Sequence, residues 1–248
     1  MPQFEVTVKR RVTGVAPYNR SMCSLAALAL AAGMAATPSV SPTPAFRQTV
    51  PAKLDPAARY LIYLHGRIIE ERGIRPTDPR YGTYEYVAIV RALERRGFTV
   101  VTESRPSGTD PERYARTVQG QVEALLAAGV PARHTTVLGA SKGAVIAMLA
   151  STFIRNRDVN FVLMSNCNDW VREHFRVDLY GNVLSIYDKN DEFGTSCGPI
   201  FAQSSGLARR KEVVLQLGTG HAVLYRPLPE WLDLVDAWAR EAASGERR

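Results

Sequence analysis

The sequence predicts an α/β fold with a mostly parallel central sheet and helices on both faces. Three observations carry this. Short apolar runs alternate along the chain with stretches of helical periodicity. The runs lack the polar–apolar alternation of a half-exposed strand, as expected of strands buried on both faces. Gly and Pro punctuate the junctions. With 248 residues, 46% hydrophobic, the chain is long enough to bury a substantial core in one domain. No internal repeat or second folded domain is visible.

The elements follow in order. Tyr60–Leu64 is a strand ending in His65-Gly66, and Arg67–Gly82 is a long polar loop containing Pro76 and Pro79. Tyr84–Arg96 is a helix with Tyr86, Val90 and Leu93 on one face, stopped by Gly97. Phe98–Thr102 is a strand. Asp110 caps a helix over Pro111–Ala128, with Val118, Val122, Leu125 and Leu126 inward, and Gly129 and Pro131 end it. Thr135–Leu138 is a strand and Lys142–Arg155 an amphipathic helix. Strands at Phe161–Met164, Val183–Tyr187 and Val213–Leu217 follow. The last helix, Pro229–Ala243, buries Trp231, Leu234, Val235 and Trp238.

The most informative stretch is Gly139-Ala140-Ser141-Lys142-Gly143, a G-x-S-x-G turn between a strand and a helix. So tight a turn strains the serine and raises its hydroxyl at the helix start. The positions two before and two after it must be small, and both are glycine. The helix start offers free N–H groups and a positive dipole end where an oxyanion would form. A serine hydroxyl needs a base to attack at neutral pH. His221, in Gly218-Thr-Gly-His-Ala222 after a strand, is the best placed. His65 belongs to the His-Gly turn, His134 precedes its strand at the opposite sheet edge, and His174 lies between two strands. Asp188 and Asp191, both at the end of the Val183–Tyr187 strand, are candidate acids to orient the imidazole.

The chain order Ser, Asp, His, with the upstream His-Gly turn, resembles the α/β-hydrolase superfamily over about Tyr60 to Arg240. That resemblance implies an eight-stranded, mostly parallel sheet, here in reduced form, and a serine hydrolase mechanism. It puts the acid at Asp191, with Asp188 at the superfamily's usual glycine and kept as the alternative. It implies an oxyanion hole made by the backbone N–H groups of Arg67 and Lys142. The segment from Met164 to Asn182, where many relatives insert a lid, is short and carries Asn166, Asn168, Trp170 and Phe175. An open, lidless cleft for accessible or small esters, thioesters or amides is expected. A non-catalytic binding protein and an acyltransferase are the alternatives. The Lys142 side chain is odd at a helix N-terminus, because it opposes the dipole. Pairing with Glu70, Glu71, Glu85 or Glu103 would account for it; contact with an anionic substrate group is the other reading.

Residues 1–45 read as a signal peptide and Pro-rich linker, and 46–248 as the catalytic domain. Lys9, Arg10, Arg11 and Arg20 precede the apolar run Met22–Ala36, and Thr37–Ala45 is rich in Pro, Ser and Thr. The apolar run is too short for a confident span, so export to the periplasm or medium, without stable membrane insertion, is expected. Cys23 falls in the signal. Cys167 and Cys197 remain, each in a loop after one of two neighbouring strands, and a disulfide between them suits an oxidising compartment. The net charge of +7 is scattered, with dense runs only at Arg209-Arg-Lys211 and Arg247-Arg248 beyond the N-terminus. Without a basic stripe interleaved with aromatics, nucleic acid is not an expected partner. No metal or organic cofactor is implied: there is no H-E-x-x-H, paired C-x-x-C or strand-linked G-x-G-x-x-G.

Overall fold

The structure is a computed structural model that describes residues 49–244. The signal-like segment and most of the linker, Cys23, and residues 247 and 248 lie outside the described residues. Six strands form one fully parallel sheet: β1 (Arg59–Leu64), β4 (Phe98–Val101), β5 (Thr135–Ala140), β6 (Asn160–Met164), β7 (Tyr180–Asp188) and β8 (Gly206–Leu215). Their spatial order is β4-β1-β5-β6-β7-β8. A two-stranded ribbon of β2 (Thr77–Asp78) and β3 (Gly82–Thr83) stands apart. The helices are α1 (Arg67–Arg72), α2 (Tyr86–Arg95), α3 (Pro111–Ala127), α4 (Lys142–Ile154), α5 (Asp169–His174), α6 (Gly198–Gln203) and α7 (Pro229–Ser244).

Both faces of the sheet are covered, as the unbroken apolar strands require. Leu61 and Tyr63 of β1 join α2 and α7 in one core. Ile62 and Leu64, pointing the other way, join α3, α4 and α6 in a second. After β4 the chain crosses to the far side of β1 to lay down β5. A crevice therefore opens between the C-terminal ends of β1 and β5, where ligands bind in sheets of this kind.

Three expectations are corrected. The polar loop after β1 contains α1 and the β2–β3 ribbon. Helix α1 spans only 6 residues, too few to show a periodicity; it buries Ile69 and carries an Arg67–Glu71 pair at 3.1 Å. Helix α4 is not amphipathic: every residue from Gly143 to Ser151 is buried, because it lies between the sheet and α3. Strand β8 begins at Gly206 rather than Val213 and ends at Leu215. Its charged stretch Arg209-Arg-Lys-Glu212 masks it in sequence, yet an edge strand tolerates charge that discourages further pairing. Among the described residues the sheet has six strands, the reduced form expected of the eight-stranded pattern.

Candidate active site

The turn after β5 has the strained geometry its sequence demands. Ser141 sits at φ 53° and ψ −120°, outside the regions ordinary residues favour. Its N–H is held by the Met164 carbonyl at 2.9 Å. The flanking glycines are required by close approach. A Cβ on Gly139 would lie 2.2 Å from the Gly143 carbonyl oxygen, and one on Gly143 would lie 1.9 Å from that of Leu64. The helix can start against the ends of β1 and β5 only because neither residue has a side chain.

Three predicted residues converge here. His221 Nε2 lies 3.1 Å from Ser141 Oγ, and His221 Nδ1 lies 3.0 and 3.1 Å from the two Asp191 oxygens. His221 and Asp191 are both buried. Asp191 Oδ1 also accepts from the N–H groups of Phe193 and Gly194, at 2.9 and 3.0 Å. Burial works to raise this carboxyl, but the hydrogen bond and charge of His221 outweigh it and hold the group below its ordinary value. With Nδ1–H donated to Asp191, Nε2 is left free to accept from the serine. The rings of Phe193 and Tyr81 meet the imidazole edgewise, with centroids 5.0 and 5.8 Å away.

Asp188 does not reach His221. It is fully buried and accepts from the N–H groups of Asn190 (3.0 Å), Leu217 (2.9 Å) and Gly220 (3.1 Å). It thereby ties the end of β7 to the loop that carries the histidine. His134 and His174 lie elsewhere, bonded to the carbonyls of Pro56 and Trp170.

On the other side of Ser141, Arg67 and Lys142 begin α1 and α4, so their N–H groups have no acceptor within their own helices. A Cβ on Gly66 would come 3.5 Å from Ser141 Cβ, which places this turn directly against the serine. His65 is fully buried, and its Nε2 accepts the Arg105 N–H at 3.0 Å. The ring proton therefore sits on Nδ1, 2.9 Å from the Gly66 carbonyl. Burial and the nearby Arg105 cation lower the His65 pKa to about 3, so this ring stays neutral. The Lys142 ammonium is paired with Glu70 at 2.6 Å, one of the four acids expected to meet it. Arg105 was not singled out by sequence; it lies in a loop without periodicity, and nothing local marks it.

The cleft has a volume of about 620 Å³. Ser141 and His221 lie in its lining, with Ile68, Tyr84, Val145 and Leu224 among its apolar walls. Trp170 and Phe193, each about half exposed, stand at it, and only the short α5 occupies the lid position. Cys167, after β6, and Cys197, at the start of α6, are disulfide-bonded with Cα atoms 4.9 Å apart. Among the described residues, no group of three or more His, Cys, Asp or Glu side chains is placed to hold a metal ion. Nor is any described helix long and apolar enough to cross a membrane.

No family model matches the chain, and no curated protein matches it by sequence. Solved structures do. SOBER1 from Arabidopsis thaliana is 13% identical, with a TM-score of 0.52 over 75% of this chain and 100% of that one. A protein of unknown function from Agrobacterium tumefaciens, provisionally assigned to the alpha/beta hydrolases, is 18% identical, with a TM-score of 0.51 over 79% of this chain and 90% of that one. The chain has the α/β-hydrolase fold.

Proposed function

We propose that this protein is a serine hydrolase that cleaves an ester, thioester or amide of a small, accessible substrate through an acyl-enzyme on Ser141. The observation that carries the reading is the hydrogen-bonded run from Ser141 Oγ through His221 to Asp191. Fold alone would not do so, since one fold hosts many activities. His221 takes the serine proton as Oγ attacks the carbonyl carbon, and Asp191 stabilises the resulting imidazolium. The N–H groups of Arg67 and Lys142 receive the developing oxyanion; one such donor commonly contributes about 10²–10³ in rate. The proton then passes from His221 to the leaving group, and water, activated by the same histidine, frees the acid.

Export is part of this proposal, with residues 46–248 as the mature catalytic domain. The disulfide supports it, since such bonds persist mainly in oxidising compartments. The absence of a large lid favours small or accessible substrates over those presented at an oil surface. Ser141→Ala tests the reading. Hydrolysis of a short-chain p-nitrophenyl ester should fall by several orders of magnitude while the melting temperature holds. Retention of most of the activity in that variant would sink the proposal. Ligand binding without turnover by the unaltered protein would mark a binding module instead.

A further inference from the structure

At the wall of the cleft, reached by Lys142 and buried at Glu70 and Arg105, lies an ion cluster whose side chains the proposed reaction does not use. Arg105, 1% exposed, comes from the loop between β4 and α3. Its Nε donates to Glu70 Oε1 at 2.9 Å, and its guanidinium donates to the His65 carbonyl. The other Glu70 oxygen, Oε2, receives the Lys142 ammonium at 2.6 Å. Glu70 lies in the first turn of α1, three residues after Arg67. Lys142 is the first residue of α4, immediately after the nucleophile. One carboxylate therefore joins the two helix starts, at Arg67 and Lys142, that flank Ser141, and Arg105 fastens both to the carbonyl of the His65-Gly66 turn.

We propose that the Arg105–Glu70–Lys142 triad is a positioning device for the oxyanion hole, which fixes the separation and aim of the Arg67 and Lys142 N–H groups through a single shared carboxylate. The inference rests on the serine hydrolase reading above. An oxyanion hole works by donors held in place before charge develops, so that none must reorganise during the reaction. Helix α1 has only 6 residues, anchored to the core by Ile69 with Ile68 packed beside it. A buried carboxylate bonded by two cations adds rigidity. It also accounts for a lysine at the wrong end of a helix dipole: Glu70 offsets the repulsion. Loss of the clamp should act on the transition state, whose oxyanion the donors meet, and spare ground-state binding.

The test uses Glu70→Gln and Lys142→Met, read by hydrolysis of a neutral p-nitrophenyl ester and by the rate at which a fluorophosphonate labels Ser141. Lys142→Met leaves the Arg105–Glu70 pair balanced, so it remains informative if Glu70→Gln unfolds. Each folded variant should lose roughly 10–100-fold in kcat and in labelling rate, with KM within about twofold, since donor misplacement of an ångström can cost that much. Lys142→Arg, which can still reach Glu70, should recover most of the loss. Unchanged kcat and labelling in both variants would overturn the inference. So would a loss in Lys142→Met with none in Glu70→Gln, which would mean that the ammonium acts directly on the oxyanion. A rise in KM confined to anionic esters in Lys142→Met would overturn it too, by making Lys142 a substrate contact. If Ser141→Ala is still labelled as fast as the unaltered protein, the serine hydrolase reading itself fails. Normal labelling at Ser141 in both clamp variants would overturn the clamp alone.

Discussion

The two flanks of Ser141 are built by opposite means. On one side His221 and Asp191 form a short run of hydrogen bonds, with the carboxylate itself capped by two backbone N–H groups. On the other side the turn proposed to receive the oxyanion is held by buried charge, with Arg105 and Lys142 sharing Glu70. In the proposed reaction the first flank must move a proton, so its imidazole needs an orienting partner and an open edge toward the serine. The second must only stay still, and a cluster of buried ions, costly to break, does that. The same contrast divides the histidines: His221 lies between a serine and a carboxylate, whereas His65, shut in beside Arg105, is held neutral.

The largest expected effect breaks the first flank. Asp191→Asn should lower kcat by about 10³–10⁴, the scale seen when a triad acid no longer fixes the imidazole tautomer. Asp188→Asn should cost far less activity, because its oxygens face backbone N–H groups of the histidine loop and not the ring; a melting curve should show its main effect as lost stability. A greater activity loss in Asp188→Asn would reverse the two assignments.

Reduction of the disulfide comes next. It closes a loop with a sequence separation of 30 that includes Asp191, and the chain-entropy model gives roughly 3–4 kcal/mol for such a closure. Neighbouring bonds tie the acid loop to the same place: Asn168 donates to the Phe193 carbonyl at 3.0 Å, and Thr195 donates to that of Cys167. A reductant should lower the melting temperature and, by loosening the loop that carries Asp191, reduce activity as well. A thiol titration that finds both cysteines free in the oxidised protein would remove the bridge from the account.

The effect of least consequence for activity sharpens the second flank. His65 in the folded chain protonates only near pH 3, against 6.5 for the free imidazole. Between those values the unfolded chain holds a proton that the folded chain does not. Its contribution to stability is full above about pH 6.5 and declines as pH falls toward 3, by up to about 1.4 kcal/mol per unit. Denaturant titrations from pH 7 to 4 should show this slope, and His65→Asn should flatten it. An unchanged slope in that variant would mean the ring is not shielded as described.

The flank proposed to carry proton chemistry was legible in the sequence; of the clamp only the Lys142 pairing was, with Glu70 one of four candidate acids, and Arg105 was not, for a physical reason. Strands such as Tyr60–Leu64 and Phe161–Met164 announce themselves because both their faces are buried. The elbow does so because Gly139 and Gly143 leave no room for a Cβ. His221 could be placed because it follows a strand ending at the same sheet edge as the elbow; the strand ending before Asp188 and Asp191 left both acids open, and the superfamily's register chose Asp191. Glu70 and Arg105, in contrast, are 35 positions apart, on a helix too short for periodicity and a loop without any. Their meeting is set by tertiary packing alone. Strand β8 was half hidden for a related reason: edge strands carry charges that read as surface.

Fluorophosphonate labelling followed by peptide mass analysis tests the central claim most directly, because it asks for an activated serine without requiring the natural substrate. The account predicts one covalent adduct per chain, on the peptide containing Ser141, absent in Ser141→Ala and strongly slowed in His221→Ala. An adduct on another residue, or a folded protein that takes up no label at neutral pH, would contradict it.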